Sequence, residues 1–470
     1  DGESLSIEEG VIVRFAEGTG MTCNGTLTAQ GTEADRILFT TLSSTPLPGD
    51  WNNIELYSGD NTISYVDYEY ATDGFVGDFA GNSSFDNVRI SAGLMSLNAN
   101  GIHLSNSSNT IFTNNEISVS GDYNIFCQNC DFSEFTYNSL NGAEYGIRAT
   151  DGYYLTIENN EIEDFLEYGV YFQSSPYSLV NHNRVIGADY GGWKRAIHNS
   201  ESNQYAQVNY NYIEVLSTEG GECYQSGIEV HDSEVIGDSV FVYINNYYRS
   251  DGEGIRANRS TIQDNYIRIE DHDSEWNGRS THAIESWSSE NSRSTISNNT
   301  IEATRYSRGI WASYADIENN HLSNWSDNNN EQWAIGHGDY NVIRNNTITG
   351  FRHGIYCDDR WSNEITGNHI ETRYWGVYAN NSHGDHIIEN NTFNKYTTEG
   401  DWLVYVTNAA SVKVSNNECE ALGGSGFYFN NTSVTMDHNL IVSPGRGLEL
   451  TNQAGGTILN NTIVSTENGD

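Results

Sequence analysis

From about residue 100 to its end the chain repeats one phrase, and a repeat limits the possible folds more than any other property. The first half reads apolar–x–Asn–Asn–x–apolar, as in Ile157-Glu158-Asn159-Asn160-Glu161-Ile162, Ile296-Ser297-Asn298-Asn299-Thr300-Ile301 and Ile343-Arg344-Asn345-Asn346-Thr347-Ile348. The second half follows some ten to fifteen residues later and reads Gly-(Ile/Val)-x-(small or apolar). Gly146-Ile147-Arg148-Ala149, Gly254-Ile255-Arg256-Ala257 and Gly376-Val377-Tyr378-Ala379 are copies.

The second Asn of each copy serves as a ruler: Asn115, Asn138, Asn160, Asn183, Asn211, Asn246, Asn265, Asn299, Asn320 and on to Asn461. The base period is about 22, and the longest intervals, 28, 35 and 34 residues, begin at Asn183, Asn211 and Asn265. Apolar residues alternate within short runs, which is strand periodicity, and no stretch sustains helical i, i+3, i+4 spacing. A helix-free unit of this length suits one coil of a solenoid, whose strands pair with their equivalents about 4.8 Å above and below. Ile147, Val170, Ile197, Ile228, Ile255 and their successors then form one inward column. Asn suits the left-handed backbone of a tight corner, and its amide can bond the Asn of the next coil.

On these motifs the chain resembles the right-handed parallel β-helix repeat proteins, the superfamily that includes the pectate-lyase-like enzymes. The resemblance implies an all-β, single-stranded right-handed parallel β-helix of about 18 rungs with almost no helix. Less regular N-terminal coils would occupy 1–90 and regular repeats 91–470, in one continuous domain with loop insertions between 183 and 299. Function is not implied, because that superfamily holds lyases, hydrolases, epimerases, adhesins and surface proteins alike.

Charge narrows the partners. Asp and Glu total 64 against 22 Lys and Arg, a formal net charge of −42. Such a surface repels nucleic acid and anionic lipid, and it disfavours polyanionic glycans unless divalent cations bridge them. No apolar run reaches the length of a membrane span, about 18 residues or more, so no transmembrane segment is expected. The first residue is Asp1, as in a mature secreted chain, and sequons at Asn82, Asn106, Asn258 and Asn324 are glycosylation candidates. Six cysteines make no disulfide framework. Cys127, Cys357 and Cys419 fall in inward slots and read as buried thiols, and Cys127-Gln128-Asn129-Cys130 reads as a local disulfide or nothing rather than zinc.

Function should sit on the outward columns. The x residue of Gly-Ile-x-Ala is Tyr at Tyr356, Tyr378, Tyr405 and Tyr428, which predicts a packed aromatic ladder. From His198 to Trp311 the same column is chemically mixed, and the insertions cluster there. Glu229 and Glu285 lie two coils apart, roughly 9–10 Å, near the upper end of an inverting glycosidase's acid–base separation. Arg256 and His231 complete this catalytic candidate, with His198, Trp287, Trp311 and Trp333 as carbohydrate-binding residues. The competing reading is a Glu–Arg–Glu surface ladder of small net worth. Asp271, Asp273 and Glu275 begin like a calcium loop but lack its sixth-position Gly and twelfth-position Glu. No cofactor is required, and Ca2+ is the one ion with a candidate site.

No capping helix is visible, and an open coil end leaves unpaired backbone and exposed core. The leading expectation is therefore an extracellular or cell-surface structural protein: an envelope layer, sheath, filament or adhesin. It would assemble through its ends with itself or other envelope proteins, with glycans as further partners. The alternative is a glycoside hydrolase or polysaccharide lyase with its cleft around Glu229, Arg256 and Glu285.

Overall fold

Runs of three to nine residues with alternating apolar character form strands throughout the chain. The computed structural model describes residues 3–91, 100–189, 192–200, 205–217, 223–245, 250–272, 281–324, 332–336, 338–358, 360–398, 402–452 and 455–466. Among these the chain is a right-handed parallel β-solenoid of about 18 turns without helix. It divides into two compact units, Asp1–Glu234 and Val235–Asp470.

In the first unit each regular coil carries three strands: a Gly-Ile strand, a strand before the Asn corner and a strand after it. Tyr145–Thr150, Thr156–Glu158 and Glu161–Phe165 make one such coil. Among the described residues these strands pair in parallel, with one register shift between Glu163 and Phe165, so like stacks on like. Ile102, Ile125, Ile147, Val170, Ile197 and Ile228 form one fully buried column. Phe85, Phe112 and Phe135 stack in a second, with centroids 5.5 and 4.9 Å apart. The earliest coils are less regular, and their core is filled by Phe15, Trp51, Tyr68 and Phe75. In the second unit an inward column of the same kind runs from Ile255 through Ile284, Ile310, Ile335, Ile355, Val377 and Val404.

The two Asn of the corner have different tasks. The first holds the left-handed turn, with φ of 54° at Asn114, 55° at Asn159 and 57° at Asn298. Backbone geometry alone decides this position, so Tyr137, His182, Tyr210 and Gly367 also fill it. The second Asn is buried and bonds along the stack. Asn115 Nδ2 donates to Asn138 Oδ1 at 2.8 Å and to the Phe85 carbonyl at 2.9 Å, while its backbone N–H donates to the same Oδ1 at 3.1 Å. Asn138, Asn160 and Asn183 repeat the pattern in the first unit, and Asn265 through Asn439 in the second.

Two expectations change here. The corner between Asn211 and Asn265 belongs to Gly237-Asp238, not Asn246, which lies outside the described residues. Gly237 has φ 73°, and the buried Asp238 donates its N–H to Asn265 Oδ1 at 2.8 Å. The apparent intervals of 35 and 19 thus become 27 and 27, counted through 211, 238 and 265. Cys127 bonds Cys130, whereas Cys23, Cys223, Cys357 and Cys419 are buried and outside any disulfide.

The Gly of each phrase has a packing cause. A Cβ on Gly146 would meet Ile162 Cγ2 at 2.4 Å and the Gly169 carbonyl at 2.6 Å. The strand after the corner presses its apolar side chain onto this bare backbone, which brings the following x residue out on the opposite side.

Candidate functional site on the outer face of the Gly-Ile strands

Two columns face outward from the Gly-Ile strands, the x residue and the residue before the Gly, because the Gly and Ile between them are both buried and interrupt the simple alternation. In the first unit the x column runs His103, Phe126, Arg148, Tyr171, His198, Glu229. Beside it run Tyr123, Tyr145, Tyr168 and Arg195. Register makes these rings neighbours: Tyr123 and Tyr145 centroids lie 5.2 Å apart, and Tyr145 and Tyr168 4.9 Å.

At one end of this face Glu229 accepts from Arg195 Nε at 2.5 Å and lies 3.4 Å from His198 Nδ1. Arg195 also lies over the rings of Tyr168 and Tyr224. Burial raises the Glu229 carboxyl, but His198 and Arg195 outweigh it and bring the pKa down to about 2. His231, half-buried, closes the same strand two residues on.

In the second unit Glu285 carries a similar set. Trp287 Nε1 donates to Glu285 Oε1 at 2.7 Å, Arg256 Nε stands 3.6 Å from that oxygen, and His282 Nδ1 stands 3.5 Å from Oε2. Burial again works against the charge, and His282, Trp287 and Arg256 prevail, holding the pKa at about 2. Arg256 also reaches Glu253 at 3.8 Å. His282 is buried against the Trp311 ring, centroids 5.0 Å apart, and burial lowers its pKa. Trp311 in turn lies across the bare Gly336, where a Cβ would meet its ring at 2.8 Å.

Glu229 and Glu285 thus belong to different units, each with its own Arg and His. Sequence reasoning missed Arg195, the direct partner of Glu229, and His282, which lies beside Glu285. Trp333 is only 4% exposed, packed on His353 and Tyr356 with centroids 4.1 Å away in both cases, so it offers a sugar little free ring face. The Tyr356–Tyr378–Tyr405–Tyr428 column is stacked at 5.7, 5.2 and 4.9 Å.

The metal candidate is only partly described. Asp271 is buried and accepts from Thr281 Oγ1 at 2.6 Å, while Asp273 and Glu275 lie outside the described residues. No group of three or more His, Cys, Asp or Glu among the described residues stands ready to hold a metal. Of the sequon residues, Asn82 and Asn106 are exposed, Asn258 is half-buried and accepts from the Trp287 N–H, and Asn324 is buried, which leaves no room for a glycan. No helix among the described residues is long and apolar enough to cross a membrane.

Solved structures with a similar course of chain include the Dettilon tailspike protein, at 12% identity and TM-score 0.36, covering 76% of this chain and 62% of that one. This chain therefore spans less than two thirds of that tailspike. PfbA, a surface adhesin of Streptococcus pneumoniae, matches at 14% identity and TM-score 0.31, over 70% of this chain and 86% of its own. The tailspike of E. coli bacteriophage HK620, solved with a pentasaccharide, matches at 13% identity and TM-score 0.28, over 97% and 72%. No curated protein matches. The family described as "Right handed beta helix region" matches residues 48–193, 100–267 and 310–464, most of the sequence, and the chain belongs to it.

Proposed function

We propose that this is an extracellular, adhesin-like surface protein that holds a glycan on the outer face of its Gly-Ile strands without cleaving it. The observation that carries this reading is the state of Glu229 and Glu285, each held as a carboxylate down to about pH 2 by partners in its own unit. Glycoside hydrolysis needs a carboxylic acid that still holds its proton near the working pH. Elimination needs a base of adequate strength, and a carboxylate stabilised by Arg and His is a weak one. The Tyr and Phe columns with interspersed Arg supply instead what sugar recognition uses: apolar ring surface and multiple N–H donors.

The test is a glycan panel presented to the full chain, scoring retention, new reducing ends and unsaturated sugar products. Retention without products is the expected result. Cleavage that disappears in Glu229→Gln or Glu285→Gln would establish the hydrolase or lyase alternative, and failure to retain any glycan would overturn the recognition reading.

A further inference from the structure

We infer that Arg148 forms a subsite for the carboxylate of a single acidic sugar, an inference that rests on the outer face being a glycan surface. Its guanidinium carbon lies 5.3, 5.2, 5.2 and 5.5 Å from the ring centroids of Tyr123, Phe126, Tyr145 and Tyr171. Such rings attract the cation and fix its plane, but they supply no in-plane acceptor for its N–H groups. Its one hydrogen bond runs from Nη1 to Tyr123 Oη, Nε is buried without an acceptor, and no carboxylate among the described residues lies within ion-pair distance. Acids outnumber bases 64 to 22 in this chain, so an arginine of this face without an acid stands out. Arg195, two coils further on, shows the alternative: it lies over two other rings, Tyr168 and Tyr224, and has Glu229 supplied by the chain itself.

What Arg148 lacks is what a planar carboxylate offers, two oxygens for the end of the guanidinium fork. The ring edges around it would meet the C–H side of a pyranose. Gln128 and Gln173, which flank Thr150 in the register two residues on, offer amides to its hydroxyls. The chain's overall negative charge does not forbid this, since at physiological salt charges beyond about 8 Å are largely screened. It does limit the ligand. Asp122, Glu144 and Glu167 immediately precede the tyrosines of the neighbouring column, and a second anionic residue along the chain of sugars would meet them. The ligand class is therefore a glycan with one terminal carboxylate, not a polyuronate.

The experiment measures binding of the full chain to sialyllactose, its methyl ester and lactose, and to a glucuronate-terminated oligosaccharide beside its carboxyl-reduced form. The acids should bind at least tenfold tighter than their neutral counterparts, a comparison made on the unaltered protein. Arg148→Met should abolish that difference, and Arg148→Lys, with charge but no fork, should fall between. Melting temperatures of both variants close to the parent's would show that the loss is not one of folding. Neutral glycans retained with no preference for the acid would overturn the Arg148 subsite alone, as would an unchanged preference in Arg148→Met. Retention of no glycan would overturn the reading of the face and the subsite together.

Discussion

Asn138 Nδ2 donates to Asn160 Oδ1 at 2.8 Å and at the same time to the Phe112 carbonyl at 3.0 Å, so one buried side chain ties its coil to those on both sides. Asn160 Oδ1 takes a second bond, from the Asn138 backbone N–H at 3.0 Å. Replacing Asn160 by Ala strands these donors and the Phe135 carbonyl, each unmet buried group costing about 1–3 kcal/mol. We expect Asn160→Ala to destabilise the fold by at least about 3 kcal/mol in denaturant titration. Asn159→Gly, at φ 55°, should change stability by less than about 1 kcal/mol. Equal effects at the two positions would contradict the division of tasks.

Acid should weaken the protein in two stages. His353 is sandwiched between Trp333 and Trp375, and burial lowers its pKa from the ordinary 6.5 to about 2; His386 falls to about 4 for the same reason. The unfolded chain then binds more protons than the folded one, so stability drops as pH falls below about 6.5. Glu229 and Glu285, with folded values about 2 against an ordinary 4.5, add a second loss from about 4.5 downward, complete only below about 2. His353→Phe should flatten the first decline in melting temperature and leave the second. A melting temperature that rose between pH 6.5 and 5 would contradict both assignments.

Removing the carboxylate of Glu229 leaves Arg195 largely buried without its acid, and we expect Glu229→Gln to cost about 3 kcal/mol. The double variant Arg195→Met with Glu229→Gln should recover part of that loss, since neither charge is then stranded. A thermodynamic cycle over the four proteins measures the coupling directly.

Thiol chemistry should separate the cysteines cleanly. Cys23, Cys223, Cys357 and Cys419 are buried, and burial raises Cys357 to about 12, which keeps it protonated and unreactive. The folded chain should resist alkylation, the denatured unreduced chain should expose four thiols, and reduction should release two more. Mass spectrometry of the alkylated forms provides the count.

Gly146→Ala should destabilise by about 1–3 kcal/mol, because its methyl would overlap Ile162 Cγ2. Ala196 and Ala283 stand at the same place in other coils, so the neighbouring strand can yield and the cost stays bounded. Chemical denaturation of the variant checks this.

The repeat made the fold legible because each coil must present the same groups to its neighbours, and identical demands leave identical residues. The inward Ile and Val column and the buried Asn follow directly. The corner at Asp238 escaped notice because Gly237-Asp238 meets the same demands with different residues, while Asn245-Asn246 imitates the phrase. Pairing on the outer face was harder to read. Arg195 and Glu229 are 34 residues apart, and only the register of an expanded coil places them side by side. Side-chain reach adds a second difficulty. His282 and Trp311 meet diagonally, and no spacing in the sequence marks that contact.

Because each Asn of the ladder bonds the coils directly before and after its own, the coil acts as the quantum of growth for such a chain. A duplication or loss of one whole period, cut at any pair of equivalent points, rejoins donors to acceptors as before. A change of any other length must be expelled sideways as a loop. The same bonding rule that makes the stack uniform thus directs inherited variation in length either into added coils or out to the surface, where it can alter what the outer face meets.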